Sequence, residues 1–277
     1  MATALRRWLE LETVLDARFY RRVGIVSAVS EVDSALATAA AAGLAVETVE
    51  PEKLPHVTFP PDTVGVVETD AGVLLADRAL RAAALWLARQ PNVRLRPGCP
   101  VRSVDTGQVR ITGETLGADL VLVAGGPWTR DLAGPPVTLH RQTMVYLRPP
   151  EHLRGWWETA PGVGRIGLDG RAWLLPPGAG THLKISTDAA CREVSTVDSA
   201  DDADWAGRVR QANILSGMDA YEVVAVKDCH YASGPDGAVL TEAAPGVWAR
   251  SACGGNGFAA APLVAGQIVE TMMEVAA

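Results

Sequence analysis

Two glycine-rich segments carry the residues best suited to bind a ligand. The sequence GGNGF follows the apolar run Val247–Ser251 and precedes a helical pattern. A strand, a glycine-rich loop and a helix N-terminus present free backbone N–H groups to an anion or to a polar ring edge. The sequence AGGPW follows the apolar run 119–123, and open α/β sheets bind ligands at the carboxyl ends of such strands. Either loop alone is also an ordinary tight connection, so the ligand stays open at this point.

Other reactive side chains form no recognisable catalytic or metal-binding pattern. The four cysteines have no CxxC spacing, the five histidines have no HxxxH spacing, and no serine lies in a GxSxG motif. We therefore expect reduced thiols, no bound metal and no serine nucleophile. Cys229 and His230 are adjacent, but neighbours on a strand point to opposite faces, which disfavours a Cys/His pair.

The composition excludes several classes of protein. The chain has 277 residues, is 48% hydrophobic and 21% charged, and has 25 basic and 32 acidic residues, hence a net charge of −7. These values are typical of a globular protein, and without a Lys/Arg-rich run they argue against nucleic acid or an anionic membrane as partner. No apolar stretch reaches the roughly 18 residues of a spanning helix. Arg6, Arg7 and Glu10 interrupt the place of a signal-peptide core, so we expect a cytoplasmic protein.

The elements that must position the glycine loops alternate between helix and strand. We predict a strand over 20–29, helices over 31–42 and from Asp77 to Pro91, and a strand buried on both faces over 119–123. Asp77 is the expected N-cap of its helix. Alternating residues from 137 to 231 predict an antiparallel sheet, interrupted by a helix over 198–217.

These patterns predict an α/β (α+β) fold in which an incomplete parallel-sheet domain is combined with an antiparallel-sheet substrate domain. Residues 1–75 supply a helix and strands of the substrate domain, and residues 76–135 a partial ligand-binding domain. Residues 136–231 form the antiparallel substrate domain, and residues 232–277 return to the ligand-binding domain.

The chain resembles the D-amino-acid oxidase superfamily, and most closely its monomeric sarcosine oxidase-like branch of FAD-dependent amine oxidases. Five segments carry the resemblance in the family's order and approximate spacing: GVVETDAGVLLADRALRAAALWLA (65–88), ADLVLVAGGPWTRDL (118–132), LKIS (183–186), CHYASGPDG (229–237) and GGNGFAAAP (254–262). The resemblance implies an FAD-binding domain where the patterns above predict the parallel sheet.

The resemblance implies a role for each matching residue. Cys229 matches the position at which sarcosine oxidase-like members attach the flavin covalently, although a free cysteine is more often a small buried residue. Lys184 and Asp188 match catalytic positions, and Trp173 and Arg141 match substrate-facing positions. The residues implied to contact FAD are Val101, Ala124, Gly125, Gly126, Trp128, Gly254, Gly255, Asn256, Gly257 and Phe258.

Three departures from the family pattern weaken the inference of oxidase activity. The 277 residues contain no GxGxxG turn of the kind that holds the ADP half of FAD. The family's GHGFK reads GNGFA here, so Ala259 replaces a lysine that the resemblance places beside the flavin. Asp188 replaces an active-site histidine.

Two classes of function therefore remain. One is an FAD-dependent oxidoreductase acting on the C–N bond of an amine or amino acid, with the ADP half of FAD completed by a partner chain or by sequence upstream of Met1. The other is a flavin-free descendant that serves as a binding module, a partner subunit or a non-redox enzyme. In both cases we expect a homo-oligomer or hetero-oligomer, because incomplete sheets expose strand edges.

Overall fold

The computed structural model describes residues 2–134, 136–234 and 237–275; Pro235 and Asp236 of the CHYASGPDG segment lie outside these ranges. The helices in the described ranges are α1 (Ala2–Val14), α2 (Val32–Ala41), α3 (Ala76–Leu87), α4 (Thr129–Ala133), α5 (Arg154–Thr159), α6 (Trp205–Gln211) and α7 (Gly257–Val275). The strands are β1 (Tyr20–Arg22), β2 (Ile25–Val29), β3 (Val46–Val49), β4 (Val64–Glu68), β5 (Gly72–Leu74), β6 (Val101–Asp105), β7 (Gln108–Ile111), β8 (Glu114–Gly117), β9 (Val121–Val123), β10 (Thr138–Arg148), β11 (Gly162–Ile166), β12 (Ala172–Leu175), β13 (Leu183–Thr187), β14 (Cys191–Val194), β15 (Glu222–Ser233), β16 (Val239–Ala244) and β17 (Val247–Ser251).

The largest sheet has nine strands. Its order is β14-β10-β13-β12-β11-β2-β4-β3, and β15 pairs with the other edge of β10. The sheet is mixed rather than purely antiparallel, since β2 and β11 are parallel while its other described pairs are antiparallel. The described strand pairs within 137–231 are antiparallel, as predicted. The correction concerns the sheet as a whole, which is mixed because β2 joins it parallel to β11.

Three smaller sheets complete the fold. Strands β16, β17 and β9 form one sheet in which β17 and β9 are parallel. Strands β6, β7 and β8 form an antiparallel meander, and β1 pairs with β5. The predicted parallel FAD-binding sheet is therefore represented by the single pair β9 and β17 in the described residues.

The main core lies on one face of the nine-stranded sheet. Apolar residues of β10, β11 and β13 pack there against α5 and α6, and Trp157 at the centre has no exposed surface. Its indole Nε1 donates a hydrogen bond of 3.1 Å to the Tyr221 hydroxyl. This packed layer fixes the strands whose opposite face carries the candidate site.

Three local expectations are wrong. In β9, Leu122 is 40% exposed between the buried Val121 and Val123, so the strand is covered on one face only. The helix α3 begins at Ala76 with Leu75 as N-cap, and Asp77 lies in the first turn. The predicted helix over 198–217 contains only α6, whose N-cap Asp204 accepts a hydrogen bond of 2.7 Å from the Gly207 N–H.

Helix α1 is fixed by a buried carboxylate. The Glu12 side chain accepts hydrogen bonds from the backbone N–H groups of Phe19 at 2.6 Å and Tyr20 at 2.8 Å, and Arg18 lies 3.2 Å away. Burial alone would raise the pKa of Glu12, but the Tyr20 and Phe19 N–H groups and Arg18 together hold this pKa below its ordinary value. The ionised carboxylate therefore stabilises the fold.

We expect Glu12→Gln to lower the free energy of unfolding at pH 7 by about 1.5–3 kcal/mol, the contribution of hydrogen bonds to a charged group. A lowered folded-state pKa gives stability that is present above the unfolded pKa and is lost as the pH falls through the folded pKa. Urea unfolding at pH 7 and in the acid range should thus show a difference between wild type and variant that shrinks below about pH 4.5. A pH-independent difference would contradict the assignment.

No helix in the described part of the chain has the length and apolar character needed to cross a membrane. Across residues 2–134, 136–234 and 237–275, no group of three or more His, Cys, Asp and Glu side chains could hold a metal ion.

Candidate active site

The two glycine loops meet at one end of the small sheet. Ala124 and Gly125 lead from β9 into a 3-10 turn at Gly126–Trp128, and Cys253 leads from β17 into a 3-10 turn at Gly254–Asn256. Because β9 and β17 are parallel neighbours, both loops leave the same edge. A cavity of about 140 Å³ lies between them, lined by Gly126, Pro127, His230, Tyr231, Ala232, Arg250, Ser251, Ala252, Cys253 and Gly254.

The backbone around this cavity, which we call the loop cavity, adopts left-handed conformations at three positions. Gly126 has φ +57° and Gly254 has φ +60°, and a Cβ at either position would meet no atom within 4 Å. Ala252 is buried and has a φ of 55°, a left-handed conformation that is uncommon for a residue with a Cβ. A Cβ at Gly257 would lie 2.8 Å from the Cβ of Cys253, so the first residue of α7 has to be glycine.

Two buried hydroxyl groups beside the loops have no hydrogen-bond partner. Ser251 lines the loop cavity and is 2% exposed, and Thr129 at the start of α4 is 1% exposed. Neither hydroxyl oxygen finds a partner among the described residues, and the Nε of Arg250 also lacks one. A buried polar group without a partner costs about 1–3 kcal/mol. Such groups are available to a polar ligand or to ordered water that completes their hydrogen bonding.

The nine-stranded sheet turns one face toward this region, and we call it the site face. Paired residues of neighbouring strands point to the same face. Lys184 pairs with Tyr146 of β10, and Cys229 pairs with Gln142 of the same strand. Gln142 and Tyr146 are four residues apart and therefore share a face. Trp173 pairs with Ser186, two residues after Lys184. The side chains on the site face thus include Trp173, Lys184, Tyr146, Cys229 and Tyr231.

Lys184 is the half-buried cation of the site face. Its ammonium lies 5.3 Å from the centre of the Trp173 ring. No carboxylate lies within ion-pair distance of it among the described residues. Burial lowers the pKa of Lys184 below its ordinary value, and the nearby Cys229 acts in the opposite direction. A desolvated cation against an aromatic ring is suited to interact with negative charge that develops in front of the sheet.

Cys229 is exposed, which removes its interpretation as a small buried packing residue. It does not line the loop cavity itself, although His230, the next residue, does. The neighbouring Tyr231 hydroxyl lies 3.1 Å from the Cys191 sulfur. Burial, this hydrogen bond and the nearby Cys191, Asp188 and Cys229 groups all raise the pKa of Tyr231. Because Cys229 is exposed and pairs with Gln142, it is an accessible thiol on the site face.

The two predicted substrate residues lie on opposite faces of the sheet. Arg141 is buried on the core side, where its Nε donates a hydrogen bond of 2.8 Å to His230 Nε2 and its Nη2 one of 2.9 Å to the Val197 carbonyl. This geometry holds β10, β15 and the 195–204 segment together. Trp173, by contrast, faces the same space as Lys184.

The remaining residues that the resemblance implies lie in turns, at strand ends or in α7. Asp188 is largely exposed and lies 3.9 Å from Arg171, at the end of β13. Val101 lies exposed at the start of β6, and Trp128 is 55% exposed. Phe258 stacks on Trp8 of α1 with ring centres 5.0 Å apart, so it anchors α7 to α1. Asn256 and Gly255 complete the turn before α7.

Sequence reasoning missed four residues of this region: Thr129, Ser251, Tyr146 and Tyr231. Alternation could have found Tyr231, since it lies two residues after Cys229 and hence on the same face. Thr129 and Ser251 had no such signal, because an unpartnered buried hydroxyl becomes visible only once the packing is known.

Glycine loops at the carboxyl ends of two parallel neighbouring strands are suited to hold a dinucleotide. The chain belongs to the DAO family of FAD-dependent oxidoreductases, whose family model matches residues 1–271.

Individual relatives agree with this assignment. The chain is 29% identical over 120 residues to the peroxisomal sarcosine oxidase of Mus musculus, a match that covers 40% of this chain and 28% of that protein. Its fold resembles L-proline dehydrogenase from P. horikoshii, with TM-score 0.75, 14% identity and 95% and 75% of the two chains covered. It also resembles glycine oxidase from Bacillus cereus, with TM-score 0.72, 15% identity and 100% and 80% covered. A fructosyl peptide oxidase gives TM-score 0.78, 17% identity and 97% and 74% coverage.

The residues present fit FAD. The open glycine positions at Gly126 and Gly254 leave room for a ligand against the backbone, and the free hydroxyls of Thr129 and Ser251 supply hydrogen bonds that the protein itself does not use. These features suit the polar chain of a dinucleotide more than an apolar molecule.

Proposed function

We propose that this protein is an FAD-dependent oxidoreductase that acts on the C–N bond of an amine or amino acid. The observation that carries the proposal is the arrangement of two buried hydroxyls without a partner at the two glycine loops, in the same region of the protein as the β15 residues Cys229 and Tyr231. Bound FAD supplies the hydride acceptor for oxidation of the carbon next to nitrogen. The small-molecule substrate is an amine or amino acid, a class that the family membership supports.

Different residues of the chain bind the cofactor and face the substrate. The glycine loops with Thr129 and Ser251 hold the cofactor. Trp173 provides an apolar wall for the substrate, and Lys184 stabilises negative charge in front of the site face. Asp188, whose side chain is exposed just after the end of β13, is the second catalytic candidate. A partner chain holds the ADP half of the cofactor, because the 277 residues contain no GxGxxG turn.

The visible spectrum of the purified full-length protein tests the proposal. We expect a yellow protein after expression or after incubation with FAD and desalting, with FAD retained in preference to FMN. A colourless protein that binds neither flavin would overturn the proposal and would favour the flavin-free binding module instead.

The orphan hydroxyls give a sharper test of the same proposal. Loss of one hydrogen bond, worth about 0.5–1.5 kcal/mol, should weaken FAD binding by about 2- to 10-fold in Ser251→Ala and in Thr129→Val. The free energy of unfolding of the flavin-free protein should not fall, since neither hydroxyl has a partner there. Fluorescence titration with FAD and urea unfolding measure the two quantities. The exposed Ser216→Ala is the matched control, and an equal effect in that variant would contradict the placement of the cofactor.

A further inference from the structure

A second cavity, of about 240 Å³, lies between α1, the start of α7 and the paired strands β1 and β5, and we call it the α1 cavity. Its lining is apolar except for one phenol and one carboxylate, and consists of Ala4, Leu5, Trp8, Tyr20, Ile25, Glu68, Ala71, Gly72, Leu74 and Ala259. None of these residues lines the loop cavity. Since a water molecule occupies about 30 Å³, the α1 cavity has room for roughly eight non-hydrogen atoms.

The carboxylate of this cavity lies on the same face of the nine-stranded sheet as Trp173, three strands away. Glu68 ends β4 and pairs with Ile25 of β2, which in turn pairs with Gly162 of β11. Gly164, two residues later, pairs with Trp173. Neighbouring strands are about 4.8 Å apart, so Glu68 and Trp173 are about 14 Å apart across the sheet. The α1 cavity is therefore separate from the part of the site face that carries Trp173.

The Glu68 carboxylate has no counter-ion among the residues that the structure describes. No described Lys, Arg or His side chain lies within 4.0 Å of it. Arg22, two residues after Tyr20 on β1, pairs with Asp70 instead. Glu68 is half-buried, so water screens its charge only in part. A cation with an apolar body would both pair with this carboxylate and fill the cavity.

Glu68 also borders a second space. Together with Ile25 it lines a groove of about 730 Å³ beneath α2, so the groove and the α1 cavity share one wall. The basic residue of that groove is Arg165, which forms no ion pair with Glu68 in the described part of the chain. The charge of Glu68 is thus uncompensated from both sides.

Tyr20 adds a neutral oxygen to the same end of the cavity. Its hydroxyl donates a hydrogen bond of 2.6 Å to the carbonyl of Asp70. Burial raises the pKa of Tyr20 to about 12, and the negative charge of Glu68 acts in the same direction. The phenol is therefore protonated at neutral pH, and its oxygen can accept a hydrogen bond while its proton stays on Asp70. An ammonium group, which only donates, suits a carboxylate and a phenol oxygen.

Trp8 forms an ordered aromatic wall of the cavity. Its indole Nε1 donates a hydrogen bond of 2.9 Å to the carbonyl of Ala259. Its ring stacks on Phe258 at 5.0 Å between centres and meets the edge of Phe19 at 5.7 Å. A ligand would therefore lose little free energy in ordering this wall, and an indole ring attracts cations.

We propose that the α1 cavity binds an organic ammonium ion with a small apolar body. The ammonium group lies at Glu68 and Tyr20, and the apolar body packs against Trp8 and Leu74. The inference does not rest on the proposed function, because this site lies apart from the glycine loops and needs no flavin.

Binding of benzylamine to the flavin-free full-length protein tests the inference, with the uncharged benzyl alcohol as a probe of matched size. Chemical shifts of the tryptophan indole N–H groups in the ¹⁵N-labelled protein report binding, and Trp8→Phe and Trp173→Phe identify the two signals of interest. At pH 7 we expect benzylamine to shift the Trp8 signal and to saturate. Benzyl alcohol should bind at least about tenfold more weakly, which corresponds to about 1.4 kcal/mol.

Glu68→Gln removes the charge with little change of shape. It should raise the dissociation constant of benzylamine about tenfold and leave that of benzyl alcohol unchanged. Glu47→Gln is the matched control, because Glu47 is exposed on β3 and pairs with Val67, which puts it on the opposite face from Glu68. The control should bind both probes like wild type, and thermal unfolding of both variants should match wild type.

Four results would overturn the inference: equal affinity for the two probes, no effect of Glu68→Gln, equal effects of Glu68→Gln and Glu47→Gln, or a shift of the Trp173 signal while that of Trp8 stays in place. The comparison of the two probes uses the wild type alone, so it does not depend on the folding of any variant. A protein that binds benzylamine in the expected pattern but no flavin would contradict the proposed function and leave the ammonium site standing. Flavin binding without this pattern would do the reverse.

Discussion

Cys229→Ser is expected to abolish retention of flavin by the denatured protein. The thiol is exposed on the site face, close enough to affect Lys184, Tyr146 and Tyr231 electrostatically, and it directly precedes residues of the loop cavity. We propose that it links the cofactor covalently. After acid precipitation, yellow colour should stay in the pellet of the wild type and move to the supernatant in the variant. The free energy of unfolding should change by no more than about 0.5 kcal/mol, as for other surface substitutions.

Cys99→Ser provides the matched control for this experiment. Cys99 is also an exposed free cysteine, but it lies in the segment before β6. Its replacement should leave the colour in the pellet. Flavin in the supernatant of the wild type would show that the cofactor dissociates, and would contradict the covalent link without affecting the assignment of the fold.

A thiolate is required for attachment. Lys227, whose ammonium lies 5.4 Å from the centre of the Tyr146 ring, is the nearest basic residue along β15 on the same face.

The sequence predicts those parts of the fold that depend on local patterns. The glycine loops at Gly126 and Gly254 were recognisable because glycine alone adopts a positive φ without strain, and both positions have one. The alternation of β10 and β13 likewise predicts which side chains share a face. Family membership, implied by five short segments, is confirmed by the match over residues 1–271.

Long-range packing explains where the sequence misleads. Leu122 belongs to an apolar run that is typical of a strand buried on both faces, yet one face of β9 stays uncovered in the described residues. Arg141 matches a substrate-facing position of the family, whereas its place in β10 directs the side chain to the core side of the sheet, beside His230. Which side of a sheet faces a ligand depends on register between distant strands, and no window of sequence contains that information.

Arg78 and Arg81 illustrate the same limit. In the sequence they are two ordinary surface arginines of an amphipathic helix, but in the structure they line one cavity of about 500 Å³ together with Lys184 of β13. Lys184 reaches the same space from the sheet. A local excess of positive charge in a chain of net charge −7 therefore arises from three segments that are far apart in sequence.

Lys184→Met should reduce the turnover of the flavin-loaded enzyme by about 10²- to 10³-fold, the typical cost of removing one preorganised electrostatic contact from a reacting centre. Methionine keeps the apolar stem against Trp173, so the loss would come from the charge and not from packing. Steady-state rates with a panel of amino acids and N-methyl amines measure the effect. Thermal unfolding of the variant should stay close to that of wild type.

The pH dependence of the same reaction distinguishes a catalytic charge from a structural one. Because burial lowers the pKa of Lys184, its ammonium form is lost at a pH below that of an ordinary lysine, whose pKa is about 10.4. The wild-type rate should therefore fall on the alkaline side below that value. Lys184→Arg, which keeps its charge throughout, should recover part of the rate without this alkaline fall. If Lys184→Met retains both the rate and the alkaline fall, negative charge does not develop in front of Lys184, and the reacting centre lies elsewhere on the site face.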